Sequence, residues 1–306
     1  MEKENSPKII ICMSTYNGEK YVKEQIESLL NQTYNNIEIY VRDDGSKDNT
    51  IKILEEYEKQ NKIHFIKWKN VGVVKSFYEC LQLAYNNADF FAYCDQDDKW
   101  HEDKIEKAIT KLKNENQEIP LMYFSEFNYC DENLNFLNRS NINKKGTSFQ
   151  NSIVECLSFG ITEVFNKKLA EKILNSGTDN ICFHDWWAYM ISAGIGKVIY
   201  DEEATVEYRR TGNNVSPSGK VGIQLQIYRI KKFLFGKYFK NIREQINKYK
   251  VQFSKELNKE NKKIIDLFSI KYSFIKSIKK VFYPKMFRQN IIDEIMCRVL
   301  FLFGRL

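Results

Sequence analysis

Phe90-Phe91-Ala92-Tyr93-Cys94-Asp95-Gln96-Asp97-Asp98 is the stretch on which the reading of this chain turns. Its first five residues are apolar and rich in aromatics, as a strand buried on both faces requires. Three carboxylates then follow within four residues. Like charges that close repel, and at a strand end they make sense only beside a cation or a polyol. Strand ends of open α/β sheets are also where ligands bind. Position and chemistry together predict a metal-dependent site at the end of a buried strand.

The segments before this stretch repeat one pattern. Lys8–Met13 is an apolar run of strand length that ends in the turn-like Ser14-Thr15-Tyr16-Asn17-Gly18. Val22, Ile26, Leu29 and Leu30 then keep helical spacing. Ile37–Val41 predicts a second strand, running into Arg42-Asp43-Asp44-Gly45-Ser46. Lys47–Glu58 predicts a helix, Ile63–Trp68 a strand, Val73–Asn86 a helix and Asp89–Cys94 the fourth strand. This β-α alternation implies a parallel, doubly wound sheet.

Beyond the acidic cluster the pattern predicts a helix over 103–114, strands or an extended pair over Leu121–Cys130, and a loop over 138–147. Gly160–Phe165 reads as a strand, Lys167–Leu174 as a short helix, His184–Ala193 as an aromatic helix and Lys197–Tyr208 as one or two strands. Arg209–Gly219 reads as a loop, and the rest as basic helix. The fold class predicted is α/β, with a mostly parallel Rossmann-like sheet and a basic helical extension. The organisation expected is a first half (1–120), a second half (121–219) and the extension (220–306).

Composition narrows the function classes. At 43% hydrophobic residues the chain can bury a sizeable core. No apolar run is long enough for a transmembrane helix, and the polar Met1–Pro7 predicts no signal peptide. Seven scattered cysteines with no CxxC pair fit a reducing cytosol, and three histidines without ligand spacing argue against zinc. Residues 220–306 carry 21 Lys and Arg against 6 Asp and Glu, whereas residues 1–219 are net acidic. Two opposite charges suggest two jobs.

No GxGxxG follows the first strand and no GxxxxGK[ST] occurs, which argues against a dinucleotide site and a P-loop. Three predicted strand ends nevertheless carry polar clusters: Thr15-Tyr16-Asn17, Asp43-Asp44 and Asp95-Gln96-Asp97. In a parallel sheet these share one edge and could form a nucleotide pocket. There Tyr16 would stack on a base while carboxylates meet the base and the ribose. The bland reading of Asp43-Asp44-Gly45-Ser46 is a turn with an N-cap.

Ser14-Thr15-Tyr16-Asn17, Asp43-Asp44-Gly45-Ser46 and Asp95-Gln96-Asp97-Asp98, in that order and spacing, resemble glycosyltransferase family 2. The extension Lys99-Trp100 is similar to its bacterial rhamnosyltransferase-type members, and the likeness covers about residues 7–219. The resemblance implies a GT-A fold and inverting transfer from a nucleotide-diphosphate sugar. Thr15, Tyr16 and Asn17 would line the nucleotide site, with Glu19 nearby. Asp44, or alternatively Asp43, would meet the base. Asp95, with Gln96 beside it, would face the ribose or donor sugar, and Asp97 would ligate Mg²⁺ or Mn²⁺. Lys75 faces either the donor or solvent.

An inverting transfer needs a base for the acceptor hydroxyl. His184-Asp185-Trp186-Trp187 opens an apolar helix, where Asp185 is a base or an N-cap. The resemblance implies the base. Trp186 and Trp187 form either an acceptor platform or core. Tyr208-Arg209-Arg210-Thr211-Gly212-Asn213-Asn214 resembles a family segment that reads Tyr-Arg-Gln-His-Gly-x-Asn. Thr211 supplies no nitrogen ligand where His would, leaving Arg209 and Arg210 as diphosphate contacts.

The basic tail mixes cations with apolar residues such as Ile227, Ile230, Phe233 and Leu234, and again over 268–276. Such helices favour an anionic membrane surface or pack as an ordinary subdomain; nucleic-acid binding is disfavoured by the acidic front. The expectation is a cytoplasmic, membrane-peripheral hexosyltransferase of bacterial surface polysaccharide synthesis, of the capsule or lipopolysaccharide kind. Its donor would be dTDP-L-rhamnose or a UDP-sugar, and its acceptor a saccharide or lipid-linked saccharide. The alternative is an inactive, membrane-docked binding protein of the same fold.

Overall fold

The computed structural model describes residues 6–211, 238–268 and 272–306. The tail residues Ile227, Ile230, Phe233 and Leu234, the Gly212-Asn213-Asn214 segment and 269–271 lie outside the described residues.

The chain opens β1 (Ile9–Thr15), α1 (Val22–Leu30), β2 (Ile37–Asp43), α2 (Thr50–Lys59), β3 (His64–Lys67), α3 (Val73–Ala84) and β4 (Phe90–Cys94). These four strands are parallel, as the alternation implies, in the order β3-β2-β1-β4. After β5 (Lys99–Trp100) and α4 (Lys104–Leu112) come β6 (Leu121–Cys130), β7 (Phe136–Arg139) and α5 (Phe149–Val154). Then follow β8 (Val164–Asn166), α6 (Lys167–Ser176), α7 (His184–Ile195) and β9 (Lys197–Arg209). The sheet continues β4-β8-β6-β9-β5, with β7 beside β6. Here β8 runs antiparallel to both β4 and β6, so the sheet is mixed.

Alternation of side chains along β1 builds two cores. Ile10 and Cys12 face α3 and α7 on one side, and Ile9, Ile11 and Met13 face α1 on the other. β4 divides likewise, with Phe91 and Tyr93 on the first face and Phe90, Ala92 and Cys94 on the second.

Several boundaries differ from the sequence reading. Gly160–Phe165 is not one strand: Gly160–Thr162 forms a 3₁₀ turn and β8 starts at Val164. Glu163 donates its N–H back to Gly160 O at 3.0 Å, which closes that turn. Leu121–Cys130 is a single strand rather than a pair, and β9 is one strand whose pairing with β6 shifts register around Glu126. The loop expected from 138 begins inside β7. Helix α5 was not signalled by periodicity; Ser148 caps it, accepting from Asn151 N.

The described part of the tail forms α8 (Tyr238–Phe253), α9 (Lys259–Leu267), α10 (Phe274–Val281) and α11 (Ile291–Leu302). Tyr249, Phe253, Ile264, Phe268, Phe287 and Phe301 join the same core as α7. The ring of Trp187 meets Tyr249 and Phe253 with centroids 6.0 Å away in each case.

Candidate active site

Parallel pairing sets three turns side by side. Thr15 lies opposite Asp43, and Met13 opposite Cys94, so β1, β2 and β4 end along one edge. The three predicted polar clusters therefore meet there.

Hydrogen bonds fix each turn, and they separate groups that hold the frame from groups left open. Asp43 is fully buried and accepts from Gly45 N, Ser46 N, Thr15 Oγ1 and Ser46 Oγ. A carboxylate has about four acceptor sites, so Asp43 has none left. Asp44 accepts three bonds, from Arg42 Nη1 (2.6 Å), Val71 N (2.8 Å) and Gly72 N (3.0 Å), which leaves one site. Arg42, buried between Asp44 and Glu79, was not picked out from the sequence. An arginine inside a buried strand is the signal that could have found it, because such a charge is buried only when paired.

The first turn is tied to the acidic one. Tyr16 N donates to Gln96 Oε1 at 2.8 Å, and Gln96 Nε2 donates back to Tyr16 O at 3.0 Å. Gln96 is thus a clamp between strand ends, its amide spent on backbone. A Cβ at Gly18 would stand 2.2 Å from Gln96 Oε1, so a side chain there would push this clamp aside. Asn17 takes a left-handed backbone (φ 49°) and donates its N–H to Ser46 Oγ. Its side chain accepts from Lys47 N. Glu19 accepts from the backbone and side-chain amides of Asn49 at the start of α2, both at 2.8 Å. The ring of Tyr16 stays 45% exposed. Lys75 is half-exposed and sits 3.7 Å from Glu79.

The acidic turn itself is electrostatically loaded. The Asp95 carboxyl is pushed up to about 7 by burial, then by the charges of Asp97 and Asp185. Burial also raises Asp97, against its own backbone N–H and Arg209. Asp98 is raised well above the carboxylate range by burial and by Asp97 and Asp95. Arg209 closes this turn from β9. Its N–H donates to Asp98 Oδ1 at 2.9 Å, its Nε to Asp97 O at 2.8 Å, and its Nη2 to Glu24. The guanidinium lies over the Tyr21 ring, 4.4 Å from the centroid. Arg210 lies over Tyr129 at 4.1 Å.

Helix α7 delivers the remaining carboxylate. Phe183 is the N-cap of α7, so Asp185 sits inside the first turn rather than at the cap; its Oδ1 accepts from Trp186 N (2.7 Å) and Oδ2 from Gly160 N (3.3 Å), which leaves acceptor capacity. His184, one residue before it, packs edge-on against Tyr93 with centroids 4.8 Å apart, so the start of α7 lies against β4 near its acidic end. His184 stacks on Phe77 at 4.0 Å with both ring nitrogens lacking hydrogen-bond partners among the described residues, and burial lowers its pKa. Glu163, fully buried, is raised well above the usual range by burial and then by Asp185. Sequence reading missed this buried acid. Its signal was a lone acid inside the apolar run 161–165.

Two expectations need correction. Trp186 and Trp187 are 2% and 1% exposed, and their indole N–H groups donate to Ser152 O and Ser176 Oγ, both at 2.7 Å. Both rings are core and offer no acceptor platform. Arg209 is likewise engaged on protein groups on every side, so it organises the acidic turn rather than presenting a spare cation.

No three metal-ligating side chains cluster among the described residues. The chemistry of the turn still suits a hard cation. Asp97 and Asp95 are half-buried carboxylates raised in pKa, and a divalent ion would relieve that crowding. Its other ligands would have to be diphosphate and water.

The family model described as Glycosyl transferase family 2 matches residues 10–174. A dTDP-rhamnosyl transferase, RfbG, of Shigella flexneri is 30% identical over 214 residues, spanning 66% of this chain and 72% of its own. An uncharacterized glycosyltransferase of Haemophilus influenzae is 27% identical over 239 residues, spanning 77% and 89%. Among solved structures, S. aureus TarS 1–349 superposes with a TM-score of 0.61 at 15% identity, over 97% of this chain and 80% of that one. Its complex with UDP gives 0.59 at 17% identity, over 91% and 75%. At those identities the likeness speaks for the fold.

Proposed function

Because the chain belongs to glycosyltransferase family 2, with the GT-A fold, we propose that it performs an inverting sugar transfer with Asp185 as base. It is a rhamnosyltransferase-like member of a family at work in bacterial polysaccharide synthesis. One observation carries the mechanistic reading. Asp185 follows His184, whose ring packs edge-on against Tyr93 of β4 with centroids 4.8 Å apart, two residues before Asp95.

In this reading Asp44, with its remaining acceptor site, takes the base N–H, and the exposed Tyr16 ring stacks on the base. Asp43 holds the Asp-Gly-Ser turn that positions both. Asp95 receives ribose or donor-sugar hydroxyls. Asp97 would hold Mg²⁺ or Mn²⁺, which when bound neutralises the leaving diphosphate. Arg210 and Lys75 are the cations assigned to the same charge. Asp185 takes the proton of the acceptor hydroxyl as that oxygen bonds to the anomeric carbon. The bond from that carbon to the diphosphate oxygen breaks, and the diphosphate leaves with the electron pair.

The likeness to RfbG supports dTDP-L-rhamnose as donor, and the UDP complex of TarS supports a UDP-sugar as the competing choice. The acceptor proposed is a saccharide, free or lipid-linked. The division into a nucleotide half to residue 120, an acceptor half to 219 and an extension beyond it is part of the same proposal.

A donor screen with Mn²⁺ and Mg²⁺ tests the proposal, reading nucleotide release and the anomeric configuration of the product. Asp185→Asn should abolish transfer with nucleotide affinity nearly intact, whereas Asp97→Asn should weaken donor binding as well. Absence of both binding and turnover for every UDP- and dTDP-sugar overturns the enzyme reading in favour of an inactive binding protein.

A further inference from the structure

The last two helices bury one side and leave the other bare. On α10, Phe274, Ile275 and Ile278 fall at spacing i, i+1, i+4, with Phe282 next along the same stripe. On α11, Ile291, Ile295, Val299 and Leu302 fall on one stripe, and Phe303 continues it. Phe282 and Phe303 are 77% and 75% exposed, and Ile275 is 68% exposed. No described residue covers them.

The opposite sides are fixed in the core. Ser277 and Lys280 of α10, and Cys297, Leu300 and Phe301 of α11, are buried. The Arg298 guanidinium donates to the carbonyls of Val281, Tyr283 and Lys285, which locks α11 onto the end of α10. Both bare stripes therefore belong to one rigid hairpin and point away from the same core.

Charge selects the occupant. Residues 272–306 contain seven Lys and Arg and two carboxylates, Asp293 and Glu294. Both carboxylates are buried. Glu294 accepts from Phe287 N, Arg288 N and Arg298 Nε, and Asp293 faces Arg288. The exposed surface of the hairpin thus combines aromatic and branched apolar residues with Lys279 and Arg305, and no carboxylate of its own, while Lys285 is paired with Glu260 of α9 at 2.5 Å. Apolar residues at this density exceed the scattered exposure usual on soluble surfaces. No helix of the described residues is long and apolar enough to cross a membrane.

We propose that the α10–α11 hairpin is an interfacial docking face for a bilayer bearing anionic lipid. The inference deepens the lipid-linked acceptor of the proposed function and rests on that reading for its purpose. The apolar stripes enter the headgroup boundary, and Lys279 and Arg305 meet lipid phosphates.

Flotation of the full chain with vesicles tests this. Binding to vesicles of phosphatidylglycerol and phosphatidylcholine should exceed binding to phosphatidylcholine alone and should fall with salt. The variant Ile275→Ser/Phe282→Ser/Phe303→Ser should lose about tenfold in vesicle affinity, and Lys279→Glu/Arg305→Glu should lose the preference for anionic lipid. All five residues are exposed, so an unchanged Tm shows that both variants fold. Absence of vesicle binding by the native chain, or equal binding by the serine variant, overturns the proposal. So does a native dimer that the serine variant converts to monomer without lipid, because the face then belongs to a second copy. Donor binding measured without vesicles separates the two ideas. Its absence with vesicle binding intact sinks the transferase reading alone, and its presence without vesicle binding sinks the docking face alone.

Discussion

Arg209 clasps Asp98: the Arg209 N–H reaches Asp98 Oδ1 at 2.9 Å while its Nε holds the carbonyl of the neighbouring Asp97 at 2.8 Å. The end of β9 thereby sets the shape of the turn that ends β4. The buried guanidinium itself is held by Glu24 and by the carbonyls of Asp97 and Glu132, and removing it would leave those groups without their partner. Arg209→Met is expected to cost about 3 kcal/mol in urea unfolding. Arg209→Lys recovers part of that, since it keeps the charge and loses the fork. An unchanged unfolding midpoint for Arg209→Met would show that the clasp contributes nothing.

Stability should depend on pH through Asp95. Its folded pKa of about 7 lies above the unfolded value near ~3.9. The sign follows: the stabilising contribution is fully present below pH ~4 and is lost as pH rises to about 7. Asp97 and Asp98 are raised as well and act in the same direction. Lys104, buried over the Trp100 ring and lowered to about 7, acts above that pH, where stability grows as pH rises. Thermal unfolding without divalent cation should therefore show Tm falling between pH 5 and 7, with a shallower fall for Asp95→Asn. Mn²⁺ should raise Tm more at pH 7.5 than at pH 5, because it binds the ionised carboxylates. A pH-independent response to Mn²⁺ would detach the cation from this turn.

Gly160 leaves room for the base. A Cβ there would stand 2.8 Å from His184 Nε2 and 3.6 Å from the Asp185 Cβ. Gly160→Ala should displace the start of α7 and lower kcat by about a hundredfold, the scale that a 1 Å misplacement carries. The nucleotide Kd should be unchanged. Equal losses in kcat and nucleotide affinity would place the effect on the whole fold.

Trp187 distinguishes core from platform. Trp187→Phe removes the hydrogen bond to Ser176 and part of a buried ring, at a cost of about 2 kcal/mol. The acceptor KM should not move. A raised acceptor KM at full stability would restore the platform reading.

Periodicity made the β-α alternation legible because burial on two faces writes itself into local spacing, as in Ile9–Met13 and Phe90–Cys94. The strand-end motifs made the site's edge legible for the same local reason. The short Gly160–Thr162 turn and β8 were obscured, since an apolar run of that length carries no period of its own.

The sequence by itself determined the family likeness, the parallel half of the sheet and the place where its carboxylates gather. Tertiary structure alone decided the employment of each polar group. Glu19 was captured by Asn49, Gln96 by Tyr16, Asp43 by its own turn and Arg209 by the acidic turn, while both tryptophans went to the core. The physical reason is that strand and helix spacing is set by neighbours in sequence. A buried hydrogen bond is set by whichever distant segment arrives with the matching donor or acceptor.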